Sequence, residues 1–180
     1  GLMGKPILET EMKLAEDGEL LVRGPQIMAG YWYDLEETNE ALKDGWLHTG
    51  DLAKEHPDGS FEFVDRKKDM MKINGENVYP SEIEKVLSRH EFVREVAVLG
   101  LPDEKSGEKN VACIVPAYAE HEQNEQYLVE EIIDFCQKEG LSGIRVPKEI
   151  HFVGEIPKNI VGKVLKRELR DKLLNQNTSR

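Results

Sequence analysis

Three segments of this 180-residue chain carry side chains that could act on an anionic or hydroxyl-bearing small molecule. Asp51 closes the run Gly45-Trp46-Leu47-His48-Thr49-Gly50-Asp51, which reads as a carboxylate presented from a turn at a strand end. There it can accept two hydrogen bonds from a vicinal diol such as a ribose, or else satisfy nearby backbone amides. Arg66 sits in Asp65-Arg66-Lys67-Lys68-Asp69, an unbroken charged run. Its guanidinium fork suits phosphate, carboxylate or ribose, although such a run can equally be a solvated face. Lys163 ends Pro157-Lys158-Asn159-Ile160-Val161-Gly162-Lys163, a loop punctuated by Pro and Gly just before a helix. A lysine on a mobile loop can carry a point charge to a developing phosphate or carboxylate oxygen and withdraw again; the plain alternative is a surface lysine near a helix start.

Other chemistries lack a pattern. His48, His56, His90, His121 and His151 are scattered without metal-ligand spacing, and no Ser/His/Asp or Cys/His motif, Walker-type loop or G-x-G-x-x-G is present. Cys113 and Cys136 lie in apolar runs, where buried free thiols suited to a reducing cytoplasm are expected. The formal charge of -11, from 24 basic and 35 acidic residues, disfavours nucleic acid or an anionic membrane as partner. A phosphate-bearing ligand must therefore be held by a few placed cations. No apolar run approaches a membrane span, and the first residues lack a signal-peptide layout.

The elements that must position these groups follow from turn signals and periodicity. Up to residue 64, short β-like runs (Glu11 to Leu14, Glu19 to Arg23, Trp46 to His48, Phe61 to Val64) alternate with Asp17-Gly18, Gly24-Pro25, Asp44-Gly45 and Asp58-Gly59. They predict a small antiparallel barrel or sheet, with one helix over Asp34 to Leu42 that Thr38 could interrupt. The charged run from Asp65 reads as an exposed connector, because unpaired ions are costly to bury. Asn74-Gly75 supplies a tight turn, and Pro80 with Ser81 to Glu84 predicts a helix start with a capping box. Beyond it the pattern predicts a helix over Pro80 to Arg89, buried strands at Val93 to Leu99 and Val111 to Pro116, and a polar loop at Pro102 to Gly107. Next come an amphipathic helix over Tyr127 to Glu139, a strand at Glu149 to Val153, a helix over Val164 to Leu174 and a frayed tail from Asn175. One face of the last helix is basic, with Lys166, Arg167 and Arg170. The class is α+β: a small antiparallel β-barrel-like subdomain, then an α+β domain with a short central sheet flanked by helices.

Taken together and in order, four segments resemble one family: Arg23 to Trp32, Gly45 to Asp51, Asp65 to Glu84, and Pro157-Lys158-Asn159 with Gly162-Lys163. They are similar to the C-terminal part of the adenylate-forming superfamily, which includes acyl-CoA synthetases, luciferases and peptide-synthetase adenylation domains. The resemblance implies that a carboxylic acid reacts with Mg-ATP to give an acyl-adenylate, from which the thiol of CoA displaces AMP. It implies that Asp51 and Arg66 bind the nucleotide, that Lys68 is the hinge, and that Lys163 bridges substrate carboxylate and nucleotide during adenylation. Lys72 and Asn77 would face the adenylate, and Asn74 and Gly75 would line the pantetheine path. Many relatives carry a basic residue at the place of Asn74 or Asn77, so phosphate contacts there would be weaker or come from elsewhere.

By the same resemblance, residues 1–64 are the last subdomain of a larger N-terminal domain, 65–69 the hinge and 70–180 a mobile C-terminal domain. The phosphate loop, the magnesium ligands and most of the acyl pocket would lie upstream, in a missing N-terminal part of the same enzyme. A fatty acid is the favoured substrate, from Lys72 to Pro80, and a homodimer is compatible with the reading. The alternatives are an adenylation domain that loads a carrier protein, and a non-catalytic module docking the basic helix face on an acidic partner.

Overall fold

The computed structural model describes residues 1–118 and 125–178. Contacts divide the chain into two compact units, Gly1–Lys68 and Asp69–Arg180. His121 lies outside the described residues, as do residues 179–180 of the expected tail.

The first unit contains β1 (Leu2–Gly4), β2 (Glu11–Leu14), β3 (Glu19–Arg23), α1 (Leu35–Ala41), β4 (Leu42–Lys43), β5 (Trp46–Glu55) and β6 (Phe61–Arg66). All pairings are antiparallel, in the order β1-β6-β5-β3-β2 with β4 also on β5, so the sheet forms a half-barrel whose path does not close. Asp44 and Gly45 both have positive φ, 53° and 77°, which turns β4 directly into β5 with the twist a two-residue hairpin needs. Thr38 does not interrupt α1: its hydroxyl donates to the Asp34 carbonyl and so stays within the helical ladder. Leu20, Ala53 and Phe61 form the buried centre, with Met12, Leu14 and Val22 packed on it.

The second unit contains β7 (Met71–Ile73), β8 (Glu76–Val78), α2 (Pro80–Leu87), β9 (Val93–Asp103), β10 (Gly107–Pro116), α3 (Glu125–Lys138), β11 (Glu149–Phe152) and α4 (Lys166–Thr178). β10 is its centre. It pairs along its length with β9, antiparallel with β7 at Gly107↔Ile73, and parallel with β11 from Val111↔Glu149 to Ile114↔Phe152. The parallel pair is joined by α3, as a parallel connection requires. Alternation along β10 builds two cores: Ala112 and Ile114 face α2 and α3 through Ile83, Leu87, Ile132 and Cys136, whereas Val111, Cys113 and Val115 face Leu169 and Leu173 of α4. Burial on both faces explains why β9 and β10 read as nearly continuous apolar runs.

Several boundaries differ from expectation. The polar loop expected over Pro102 to Gly107 shrinks to residues 104–106, because Pro102 still pairs with Glu108 and the Ser106 hydroxyl and amide both donate to the Asp103 carboxylate. The helix cap lies two residues before Ser81. Tyr79 is the N-cap of α2, and Glu84, the expected acidic member of the capping box, accepts from the Val98 amide and pairs with Lys166. α4 starts later than expected because the Leu165 amide closes the preceding loop onto the Pro157 carbonyl, and it runs on to Thr178 where a frayed tail was expected.

Leu169 is 2% exposed in the second core. Leu169→Ala should lower stability by about 2–4 kcal/mol, seen as a reduced urea midpoint with an unchanged slope.

Candidate functional site

Asp51 lies inside a strand rather than at its end. Between Leu21↔His48 and Glu19↔Leu52 the β3–β5 register slips, so Thr49-Gly50-Asp51 bulges from β5 with Gly50 at φ 70°. The polar groups of the bulge are satisfied locally: the Thr49 hydroxyl donates to the Leu20 carbonyl and accepts the Asp51 amide, at 2.8 and 3.1 Å. The Gly50 amide donates to Glu19 Oε1 at 2.9 Å.

Across the β5–β6 ladder Asp51 pairs with Arg66, and Arg66 Nε lies 2.8 Å from Asp51 Oδ1. That oxygen is closed off from solvent and compensated by the guanidinium, while the Asp51 side chain as a whole is 24% exposed. A partly exposed carboxylate beside a half-exposed guanidinium fits a ligand that carries hydroxyls next to an anion.

The connector is exposed at Lys67 and Lys68, as its charge suggests, but not at its start. Asp65 is only 5% exposed and accepts the Arg66 amide at 2.7 Å. Lys67 Nζ reaches Asp17 Oδ2 at 2.6 Å and Glu19 Oε2 at 2.9 Å, while His48 Nδ1 is 3.1 Å from the same Glu19 oxygen. Burial pushes the Glu19 carboxyl up, but Lys67, His48 and the Gly50 amide outweigh it and hold it below the ordinary glutamate value. Hydrogen bonds donated to Asp17 and then to Glu19 raise Lys67 above its ordinary value, and the bond from Lys67 lowers Asp17. Lys68 follows in a short 3-10 turn, Lys67–Asp69, at the last position of the first unit. Glu19 is the residue that sequence reasoning missed; its only local signal is a charge at the head of the apolar run Leu20-Leu21-Val22.

In the second unit, Lys72 and Asn77 are register partners across the β7–β8 hairpin, and both are exposed. Asn74 and Gly75 form its two-residue turn at φ 53° and 81°. The hairpin is tied down by the Asn74 amide to the Ser106 carbonyl and the Lys72 amide to Glu108 Oε2, at 2.9 and 2.7 Å. Asn74 also borders a groove of about 500 Å³ with Lys109, Ile144 and Lys148.

Lys163 is exposed at the end of its loop, and the loop is internally bonded rather than loose. The Asn159 carboxamide oxygen accepts from the Val161 and Lys163 amides at 3.1 and 2.8 Å, and the Asn159 amide donates to the Lys163 carbonyl at 2.9 Å. Lys158 pairs with Glu95 at 2.6 Å and bridges to Val164. The same two residues border a groove of about 430 Å³ along α2, separate from the one at Asn74. Thus Asp51 and Arg66 come together in one unit, while the Lys72–Asn77 hairpin and Lys163 occupy two different places on the other.

The remaining polar residues offer little chemistry. Burial pushes the Cys113 thiol up to about 12 and Cys136 to about 11, so neither is a thiolate at neutral pH. Among the described residues no group of three or more His, Cys, Asp or Glu could hold a metal ion. The basic face of α4 is partly spent inside the fold, with Lys166 on Glu84 and Arg170 Nε on the Gly100 carbonyl at 3.1 Å.

Comparison with known proteins settles what this arrangement belongs to. Residues 82–163 match the family described as AMP-binding enzyme C-terminal domain. The chain belongs to the adenylate-forming superfamily. It is 45% identical over 184 residues to a long-chain-fatty-acid–CoA ligase of Salmonella typhimurium, covering 95% of this chain and 31% of that one. The o-succinylbenzoate CoA synthetase of Bacillus subtilis, solved with its acyl-adenylate intermediate, superposes with a TM-score of 0.84 at 32% identity, over 95% of this chain and 36% of that one. An amide bond synthetase from Marinactinospora thermotolerans gives 0.81 at 33% identity, over 96% and 36%. The chain therefore spans about a third of the length of the relatives it matches.

The ionised cluster around Glu19 predicts an acid-sensitive first unit. Carboxyls whose folded values are lowered stabilise above their unfolded values, 4.5 for Glu19 and 3.8 for Asp17, and that contribution is lost as pH falls through the folded values. Lys67, whose folded value is raised, contributes below 10.5 and is lost as pH rises past its folded value. Urea midpoints of the first unit should fall on acidification below pH 4.5, and Lys67→Met should flatten that fall.

Proposed function

We propose that this chain serves an AMP-forming acid–thiol ligase that activates a carboxylic acid, a fatty acid by preference, with ATP and passes the acyl group to CoA. The observation that carries the reading is the Asp51–Arg66 pair, a partly exposed carboxylate beside a half-exposed guanidinium, on a chain 45% identical to a fatty-acid ligase. In this reading the Asp51 carboxylate accepts hydrogen bonds from the ribose hydroxyls and Arg66 contacts the same nucleotide. Lys163 places a cation on the oxygens where charge grows as acid and α-phosphate join, and is needed only in that step. The β7–β8 hairpin serves the second step. Lys72 and Asn77 face the adenylate and the Asn74-Gly75 turn borders the thiol's path, where glycine lets a ligand approach the backbone closely.

The placement of Lys163 and the hairpin on different parts of one unit supports a change of presentation between the steps, with Lys68, at the end of the first unit, as the hinge. Residues upstream in a longer enzyme would supply the phosphate loop, the magnesium ligands and the acyl pocket. Support comes from the length of the relatives and from the apolar surface on the first unit, where Leu8, Trp32, Tyr33 and Leu35 are strongly exposed. A reducing, cytoplasmic setting is supported by the two buried, unpaired cysteines.

Two measurements test the proposal. In the intact ligase, Lys163→Ala should cut ATP-dependent pyrophosphate exchange by about 10²-fold or more while leaving thioester formation from supplied acyl-adenylate within about threefold; equal losses in both steps would refute the division of labour. The 180-residue chain alone should show no exchange above background, and exchange by it would overturn the assignment of phosphate and metal binding to upstream residues.

A further inference from the structure

The carboxylate of Glu19 touches the neighbours of both nucleotide-binding candidates. Oε1 accepts the amide of Gly50, the residue before Asp51, and Oε2 accepts from Nζ of Lys67, the residue after Arg66, both at 2.9 Å. His48, at the start of the bulge, sits on the second oxygen as well. Glu19 is 4% exposed, and a charge so buried persists only when its oxygens are filled. They are filled entirely by groups flanking the site. The bulge has no full set of ladder bonds to fix it, since the β3–β5 register slips across Thr49–Asp51 and the β5–β6 register shifts between Leu52 and Ala53. On the β6 side Asp51 keeps its register with Arg66; on the β3 side, where the ladder is interrupted, its placement rests on the two side chains that pin the bulge, Thr49 and Glu19.

We propose that Glu19 is a positioning residue for nucleotide binding: one buried carboxylate spans the strands carrying Asp51 and Arg66 and holds the two side chains at the spacing that a ribose diol and its phosphate require. This rests on the reading of Asp51 and Arg66 given above. Glu19 touches neither substrate nor reacting atoms. It acts through the backbone of Gly50 and through Lys67, so its removal should be felt at the nucleotide and not at the carboxylic acid.

Pyrophosphate exchange by the intact ligase reads the effect. Glu19→Ala should raise the KM for ATP about tenfold with the KM for the acid within about twofold, and Glu19→Gln, which keeps an oxygen for the Gly50 amide, should raise the ATP KM about threefold. In an Asp51→Ala background, where no carboxylate remains to be placed, both effects should shrink below about twofold. A lowered melting temperature with unchanged ATP KM overturns the proposal, and so does an effect that persists at full size without Asp51. Where Glu19→Ala fails to fold, Glu19→Gln carries the same cycle, with its melting temperature as the folding control. Asp51→Ala alone separates the levels: an unchanged ATP KM sinks the ribose assignment and this inference with it, whereas a large Asp51→Ala effect beside silent Glu19 variants sinks only the role of Glu19.

Discussion

A carboxylate removed from water must be surrounded by donors, and in the first unit that requirement organises the site. Glu19 lies at the start of β3, beside the bulge of β5, which brings His48 and the Gly50 amide to it, and within reach of the connector, which brings Lys67. The cluster is thus coupled. Lys67 neutralises Glu19, Glu19 holds Gly50, and Gly50 sets where Asp51 meets Arg66.

What the sequence made legible is what is decided locally. The Asn74-Gly75 hairpin was readable because its two positive φ values are intrinsic to those residue types. The face of α3 was readable because Leu128, Ile132, Phe135 and Cys136 repeat at helical spacing, and all pack into the first core of the second unit. The order of motifs identified the family before any distance was known. Hidden were the features that long-range partners decide. Asp65 reads as one more solvated charge, yet it is buried at the end of β6. The Thr49-Gly50-Asp51 segment reads as a turn, because a bulge stabilised from Leu20 and Glu19 leaves no mark within the segment itself. Glu84 has the spacing of a capping residue, but its carboxylate accepts from the Val98 amide and pairs with the Lys166 ammonium.

The second unit solves a different problem with the same means. Its sheet is covered on both faces, α2 and α3 on one and α4 on the other, and the β7–β8 hairpin buries Met71, Ile73 and Val78 in the first core while its other face, with Lys72 and Asn77, stays exposed. Lys72, Asn77 and Lys163 are accordingly on its periphery, where a cation keeps its hydration until a ligand arrives. A lysine in such a place is strong only in a site closed by something else.

The bonding of the loop before α4 constrains how Lys163 could be delivered. Asn159 binds two amides of the loop with its side chain and the Lys163 carbonyl with its own amide, Lys158 is tethered to Glu95, and Lys166 to Glu84 on α2. Withdrawal of the ammonium by loosening the loop would forfeit these contacts together, and rotation of the side chain alone shifts the charge by no more than the length of a lysine. Movement of the second unit as a body forfeits none of them, because every partner named lies within that unit. Under the proposed function, a rigid loop favours delivery of Lys163 by movement of the unit that carries it. The charged run is clamped as far as Lys67 inside the first unit, and the division between the units follows Lys68.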